Sequence, residues 1–94
     1  MYIVLVYDIN LEEKSGQRVL RRCFKICKKY LHHIQNSVFE GEVTKAQIEQ
    51  LRAELKEYIR KDTDSVIVFK SRVDRWLEKE FWAKNEEDAT SNFL

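Results

Sequence analysis

Residues 2–8 read YIVLVYD, and no other stretch restricts the fold as much. The segment is dense in β-branched and aromatic residues and too short for an ordinary helix, so it predicts a strand. Side chains alternate across a strand, which puts Tyr2, Val4 and Val6 on one side and Ile3, Leu5 and Tyr7 on the other. Both faces are apolar, so a sheet built on this strand needs cover on both. The run goes on as YIVLVYDIN, placing Asp8 where the strand leaves the sheet. An aspartate there either caps the loop or helix that follows or serves a site.

The other elements follow from changes of period. Asn10 to Gly16 is polar and reads as a loop, with Ser15 or Asn10 available to cap a helix. Val19, Leu20, Cys23, Phe24, Cys27, Tyr30, Leu31 and Ile34 then recur at steps of three and four, one face of a helix with basic residues on the rest. In HIQNSVFEGEV, residues 33–43, the period drops to two. This is extended chain, one bent strand or a hairpin, with Gly41 the expected place for a bulge or tight turn. Thr44 with Gln47 forms a capping box, and Ile48, Leu51, Leu55, Tyr58 and Ile59 give a second helix its apolar face. DTDS, residues 62–65, is turn chemistry, and VIVFK, residues 66–70, is a strand. Beyond it Val73, Trp76, Leu77 and Phe81 suit a short amphipathic helix, and 82–88 reads as an acidic loop. The chain ends in SNFL, whose apolar residues predict an extra strand laid on a neighbouring sheet edge.

The order predicts an α+β, ferredoxin-like β-α-β-β-α-β domain spanning 1–94, with a core over 1–72 and a C-terminal extension and added strand over 73–94. That plan puts both helices on one face of an antiparallel sheet and leaves the other open. Since the open face is apolar, the simplest cover is a second copy, a homodimer packed through sheet faces. If the two first strands meet near the two-fold axis, two Asp8 carboxylates converge. Such a pair repels unless a hard divalent cation, Mg²⁺ or Mn²⁺, sits between them.

Composition narrows the partners. The 94 residues hold no run approaching a membrane span and no basic stretch ahead of the first strand, so the expectation is a soluble cytoplasmic protein without a membrane partner. Cys23 and Cys27 are spaced for buried thiols on a helix face, and adjacent His32 and His33 point to opposite faces, which argues against zinc. Net charge is +1, but residues 1–36 hold seven lysines and arginines against three acids, with no acid between Glu13 and Glu40. A basic surface this one-sided suits a phosphate backbone, or is simply a solvated helix face.

YIVLVYDIN, the basic helix, IQNSVFEGEVT opening the second helix, DSVIVFK and the terminal NFL together resemble the CRISPR-associated Cas two family, the small ferredoxin-like partner of the spacer integrase. The resemblance covers nearly the whole chain. It implies a homodimer in which each C-terminal strand joins its partner's sheet, with Asp8 of both chains binding one Mg²⁺ or Mn²⁺ at the interface. It also implies hydrolysis of RNA or DNA phosphodiesters there in some members, with Asp8 catalytic, Tyr7 and Asn10 flanking it and Phe39 nearby. Arg18 is the best match to the family's phosphate-binding residues, with Arg21, Arg22 and Lys14 also placed for it. Gly16 and His33 stand where many members carry arginine.

Three functions remain open. The first is a spacer-acquisition subunit that binds duplex DNA and bridges the integrase. The second is a divalent-metal-dependent endonuclease on DNA or single-stranded RNA, with one evident carboxylate per chain and His33 as its candidate base. The third is a ferredoxin-like nucleic-acid-binding or regulatory module without nuclease activity, although the aromatic pattern of sheet-surface RNA binders is missing.

Overall fold

The alternation along YIVLVYD is realised in the folded chain: Ile3, Leu5 and Tyr7 are buried, while Tyr2, Val4 and Val6 are half-buried and Asp8 is exposed. A computed structural model describes residues 1–72 and 78–83. Its elements are β1 (Tyr2–Asp8), α1 (Lys14–Tyr30), β2 (His32–Gln35), β3 (Val38–Glu42), α2 (Lys45–Lys56) and β4 (Ser65–Ser71). The sheet order is β2-β3-β1-β4 and every neighbouring pair is antiparallel. This is the ferredoxin-like arrangement, with the most apolar strand in an inner position.

Both helices cover the face that carries Ile3, Leu5 and Tyr7. From α1 come Val19, Cys23, Ile26 and Cys27, and from α2 come Ile48, Leu51 and Leu55, closing a core around Phe39. Replacing a ring buried this completely by alanine costs about 3–5 kcal/mol. Burial also lifts both thiols, Cys23 to about 11 and Cys27 to about 12, so they behave as inert small hydrophobes. The capping box of α2 forms as expected: Thr44 Oγ1 accepts from the Gln47 N–H at 3.1 Å, and the Gln47 side chain accepts from the Thr44 N–H at 2.9 Å.

Local expectations fail where long-range contacts take over. The N-cap of α1 is Glu13, without a side-chain bond, while Asn10 Oδ1 accepts from the Glu12 N–H at 2.8 Å and Ser15 is bonded elsewhere. The extended segment is a hairpin that turns at Asn36 and Ser37, with Asn36 at φ 37°, and not at Gly41. The irregularity falls at Ile34, which is left over between the pairs His33–Phe39 and Gln35–Val38. Gly41 lies inside β3 opposite Ile3, and a Cβ there would come to 3.2 Å from Leu31 Cδ2. Its role is close approach of the α1–β2 junction. Residues 78–83 are not helical, so the short helix expected through Phe81 does not include that residue. The rest of that helix, the loop over 84–88 and the SNFL strand lie outside the described residues.

The second sheet face is unevenly covered. Glu40 pairs with Lys79, and Val4, Ile34, Val38 and Phe81 line a cavity of about 360 Å³, so residues 78–81 cross the β2–β3 half. Among the described residues none crosses the β1–β4 half. Register places Phe69 beside Val4 and Ile67 beside Val6 on this face, where the two β4 residues stay 60% and 52% exposed.

Candidate nucleic-acid and metal site

Asp8 lies at the edge of that bare patch. Opposite Ser65, it shares a face with Val4, Val6, Ile67 and Phe69, and its exposed carboxylate makes no hydrogen bond or ion pair among the described residues. Capping is therefore not its job. The cap-like work belongs to Asp64, which the sequence reading did not single out. Asp64 Oδ1 accepts from the Asn10 N–H at 2.9 Å, and Oδ2 accepts from the Arg60 N–H and Nε at 2.9 Å each. The Arg60 guanidinium holds its carboxyl down at about 2 against the opposing effect of burial, helped by the backbone N–H groups of Arg60 and Asn10.

Beside Asp8 a cleft of about 540 Å³ opens between the end of β1, the Asn36–Ser37 turn and α1. Leu20, Phe24 and Ile9 give it an apolar wall, while Arg21 and Lys25 supply cations. Lys25 was not among the expected phosphate ligands. At about 100° per helical residue, Lys14, Arg18, Arg21, Arg22, Lys25, Lys28 and Lys29 all fall within an arc of roughly 120°. The helix thus concentrates its positive charge on one stripe opposite the core. One edge of the stripe is engaged with α2 and the turn after it: Arg22 lies over the Tyr58 ring at 5.6 Å, and Glu54 takes both Lys29 and the Tyr30 hydroxyl. Lys14, Arg18, Arg21 and Lys25 have no such partner among the described residues and are exposed to solvent.

The other residues expected near Asp8 lie beneath it, on the helix-covered face. Tyr7 is 5.8 Å from Phe39 between ring centroids, and its hydroxyl is raised well above the usual phenol range by burial and by the neighbouring thiols Cys27 and Cys23. His33 is buried in an aromatic layer, 4.8 Å from Phe24 and from Phe39 between centroids. Its Nε2 donates to the Asn36 carbonyl at 2.7 Å, and Nδ1 is buried without a partner. In this position His33 braces the hairpin turn that borders the cleft and does not reach solvent as a base. Asn10 is held by its own main chain and side chain. Gly16 is buried, and a Cβ there would lie 2.2 Å from the Asn10 carbonyl oxygen, so an arginine here requires the loop to move.

Among the described residues no cluster of three His, Cys, Asp or Glu side chains is arranged to hold a metal. Among the described residues, one chain offers a single unpaired carboxylate, Asp8, at the rim of this apolar face. That fits one half of a site for a hard cation such as Mg²⁺, which retains most of its waters and needs only one or two carboxylates. A full pair requires a second copy.

Comparison with known proteins bears on the family and the fold. The family model described as CRISPR associated protein Cas2 matches residues 1–79. A Fusobacterium nucleatum protein named CRISPR-associated endoribonuclease Cas2 is 58% identical over 94 residues, covering 100% of this chain and 87% of that protein. A Moorella thermoacetica protein, CRISPR-associated endoribonuclease Cas2 2, is 39% identical over 92 residues, 98% of this chain and 100% of its own length. The crystal structure of Streptococcus pyogenes Cas2 at pH 6.5 superposes with a TM-score of 0.73 at 32% identity, over 86% of this chain and 100% of that one. No helix among the described residues is long and apolar enough to cross a membrane.

Proposed function

Because the chain belongs to the CRISPR-associated Cas2 family, we propose that two copies join through their bare β1–β4 faces and act as a divalent-metal-dependent endonuclease on nucleic-acid phosphodiesters. The observation that carries this reading is the position of Asp8: an unpaired carboxylate at the rim of an uncovered apolar patch, beside a cleft with two cations. A two-fold axis through the patch brings the two carboxylates together. Asp8 of each chain would then hold one Mg²⁺ or Mn²⁺, which when bound supplies charge neutralisation at a phosphoryl oxygen and an activated water. Arg21 and Lys25 orient the phosphate backbone, and Arg18 and Lys14 extend that track along α1. The relatives named endoribonucleases make single-stranded RNA the first substrate to try, with duplex DNA beside it.

A second reading rests on the length of the basic stripe, which exceeds what one scissile phosphate requires. Here the dimer is a spacer-acquisition scaffold that holds duplex DNA along α1 and bridges the integrase, with binding independent of sequence and steeply salt-dependent. Cleavage of labelled RNA and duplex DNA with Mg²⁺ or Mn²⁺, by wild type and Asp8→Ala, separates the two. Cutting by wild type alone supports the nuclease. Equal duplex binding by both proteins with no cutting overturns it in favour of the scaffold.

A further inference from the structure

With no hydrogen bond of its own among the described residues, the Asp8 side chain takes its position from the backbone on either side. On the strand side that backbone is fixed by the ladder to Ser65. On the loop side, both main-chain polar groups of Asn10 are held by one ion pair. Its N–H donates to Asp64 Oδ1 at 2.9 Å, and its carbonyl accepts from Arg60 Nη2 at 2.6 Å. The same guanidinium donates from Nη1 to Ser15 Oγ in the first turn of α1 at 2.9 Å. The Asp64 side chain is 0% exposed and that of Arg60 25%, so water does not compete for the carboxylate's own bonds. Gly16 lets the helix back directly onto the Asn10 carbonyl.

We propose that Arg60 and Asp64 are positioning residues for the Asp8 site, clamping the β1–α1 loop so that the carboxylate keeps a fixed place relative to the cations of α1. The inference rests on the reading of Asp8 as a divalent-metal ligand. Arg60 suits the role because its planar fork reaches three segments at once: the loop after β1, the start of α1 and the turn before β4. A lysine offers one point charge and cannot make all three contacts. A group that only stitched loops together would affect stability and leave metal affinity alone. A clamp that sets the ligand's place affects both.

The test is Mn²⁺ titration of the full chain, followed by loss of the free-Mn²⁺ paramagnetic signal, on wild type, Asp8→Ala, Asp64→Asn and Arg60→Lys. Thermal melts identify which variants are folded at the titration temperature. We expect Asp8→Ala to abolish binding, and folded Asp64→Asn and Arg60→Lys to weaken it about tenfold. If Asp64→Asn does not fold, Arg60→Lys decides, since it keeps a cation beside Asp64. Binding at wild-type affinity by the folded variants overturns the clamp and leaves the metal reading standing. Absence of Mn²⁺ uptake by wild type overturns both.

Discussion

Asp8 ends β1 and Asp64 immediately precedes the β4 residue that pairs with it, so two aspartates share one end of the sheet. Their surroundings are opposite. Asp64 is enclosed and accepts from Arg60 and Asn10, whereas Asp8 is exposed and unpaired among the described residues. A buried carboxylate has to be satisfied or neutralised, and here it is satisfied by a neighbouring guanidinium. An exposed one need not be, and a carboxylate left unpaired at the rim of an apolar patch is free to bind something else. The contrast teaches which acid the fold uses for itself and which it leaves without a structural role among the described residues, the one on which the proposed metal site rests.

The strongest way to break this contrast is to remove each acid in turn. Asp8→Ala should take metal-dependent hydrolysis to background while changing the unfolding free energy by no more than about 0.5 kcal/mol in urea titrations. A large stability loss in that variant would make Asp8 a structural residue. Asp64→Ala should lower unfolding free energy by about 2–3 kcal/mol, because it leaves the donors around it without an acceptor. A neutral result there would mean that water replaces the carboxylate.

Acid titration sharpens the same comparison. The folded-state carboxyl of Asp64 is depressed to about 2, so its contribution is fully present above the ordinary carboxylate value near about 4 and is lost as pH falls towards about 2. Asp64→Asn should remove that part of the acid-unfolding profile, read by circular dichroism, and Asp8→Asn should leave it in place. The smallest effects concern the stripe. Arg21→Gln should weaken duplex binding and reduce the salt slope by about one. Arg22→Gln, whose guanidinium already lies over Tyr58, should change both less, and equal effects would show that the contact with Tyr58 does not restrain it.

Much of the fold could be read along the chain because it depends on local period. The alternation of YIVLVYD, the three-and-four spacing of α1 and the Thr44–Gln47 box are each complete within a few residues. The face on which Asp8 lies follows from the same alternation. What escaped the reading depends on contacts distant in sequence. The bulge at Ile34 shifts the hairpin alternation, so the turn moves to Asn36 and Ser37 and His33 goes inside. Asp64 looked like turn chemistry because its partner Asn10 is 54 residues away. A pointer did exist: Arg60 and Asp64 stand four apart just beyond α2, a spacing at which opposite charges meet.

The sequence of β4, VIVF between Ser65 and Lys70, carries a cost for the isolated chain. Among the described residues nothing pairs with its outer edge, and Ile67, Val68 and Phe69 are exposed. A short, β-prone segment without proline is, wherever its edge is left unpaired, where intermolecular stacking into fibres or amorphous precipitate begins. Lys70 is the one charged gatekeeper within the strand. Covering this edge should therefore slow precipitation at high protein concentration, read as turbidity over time.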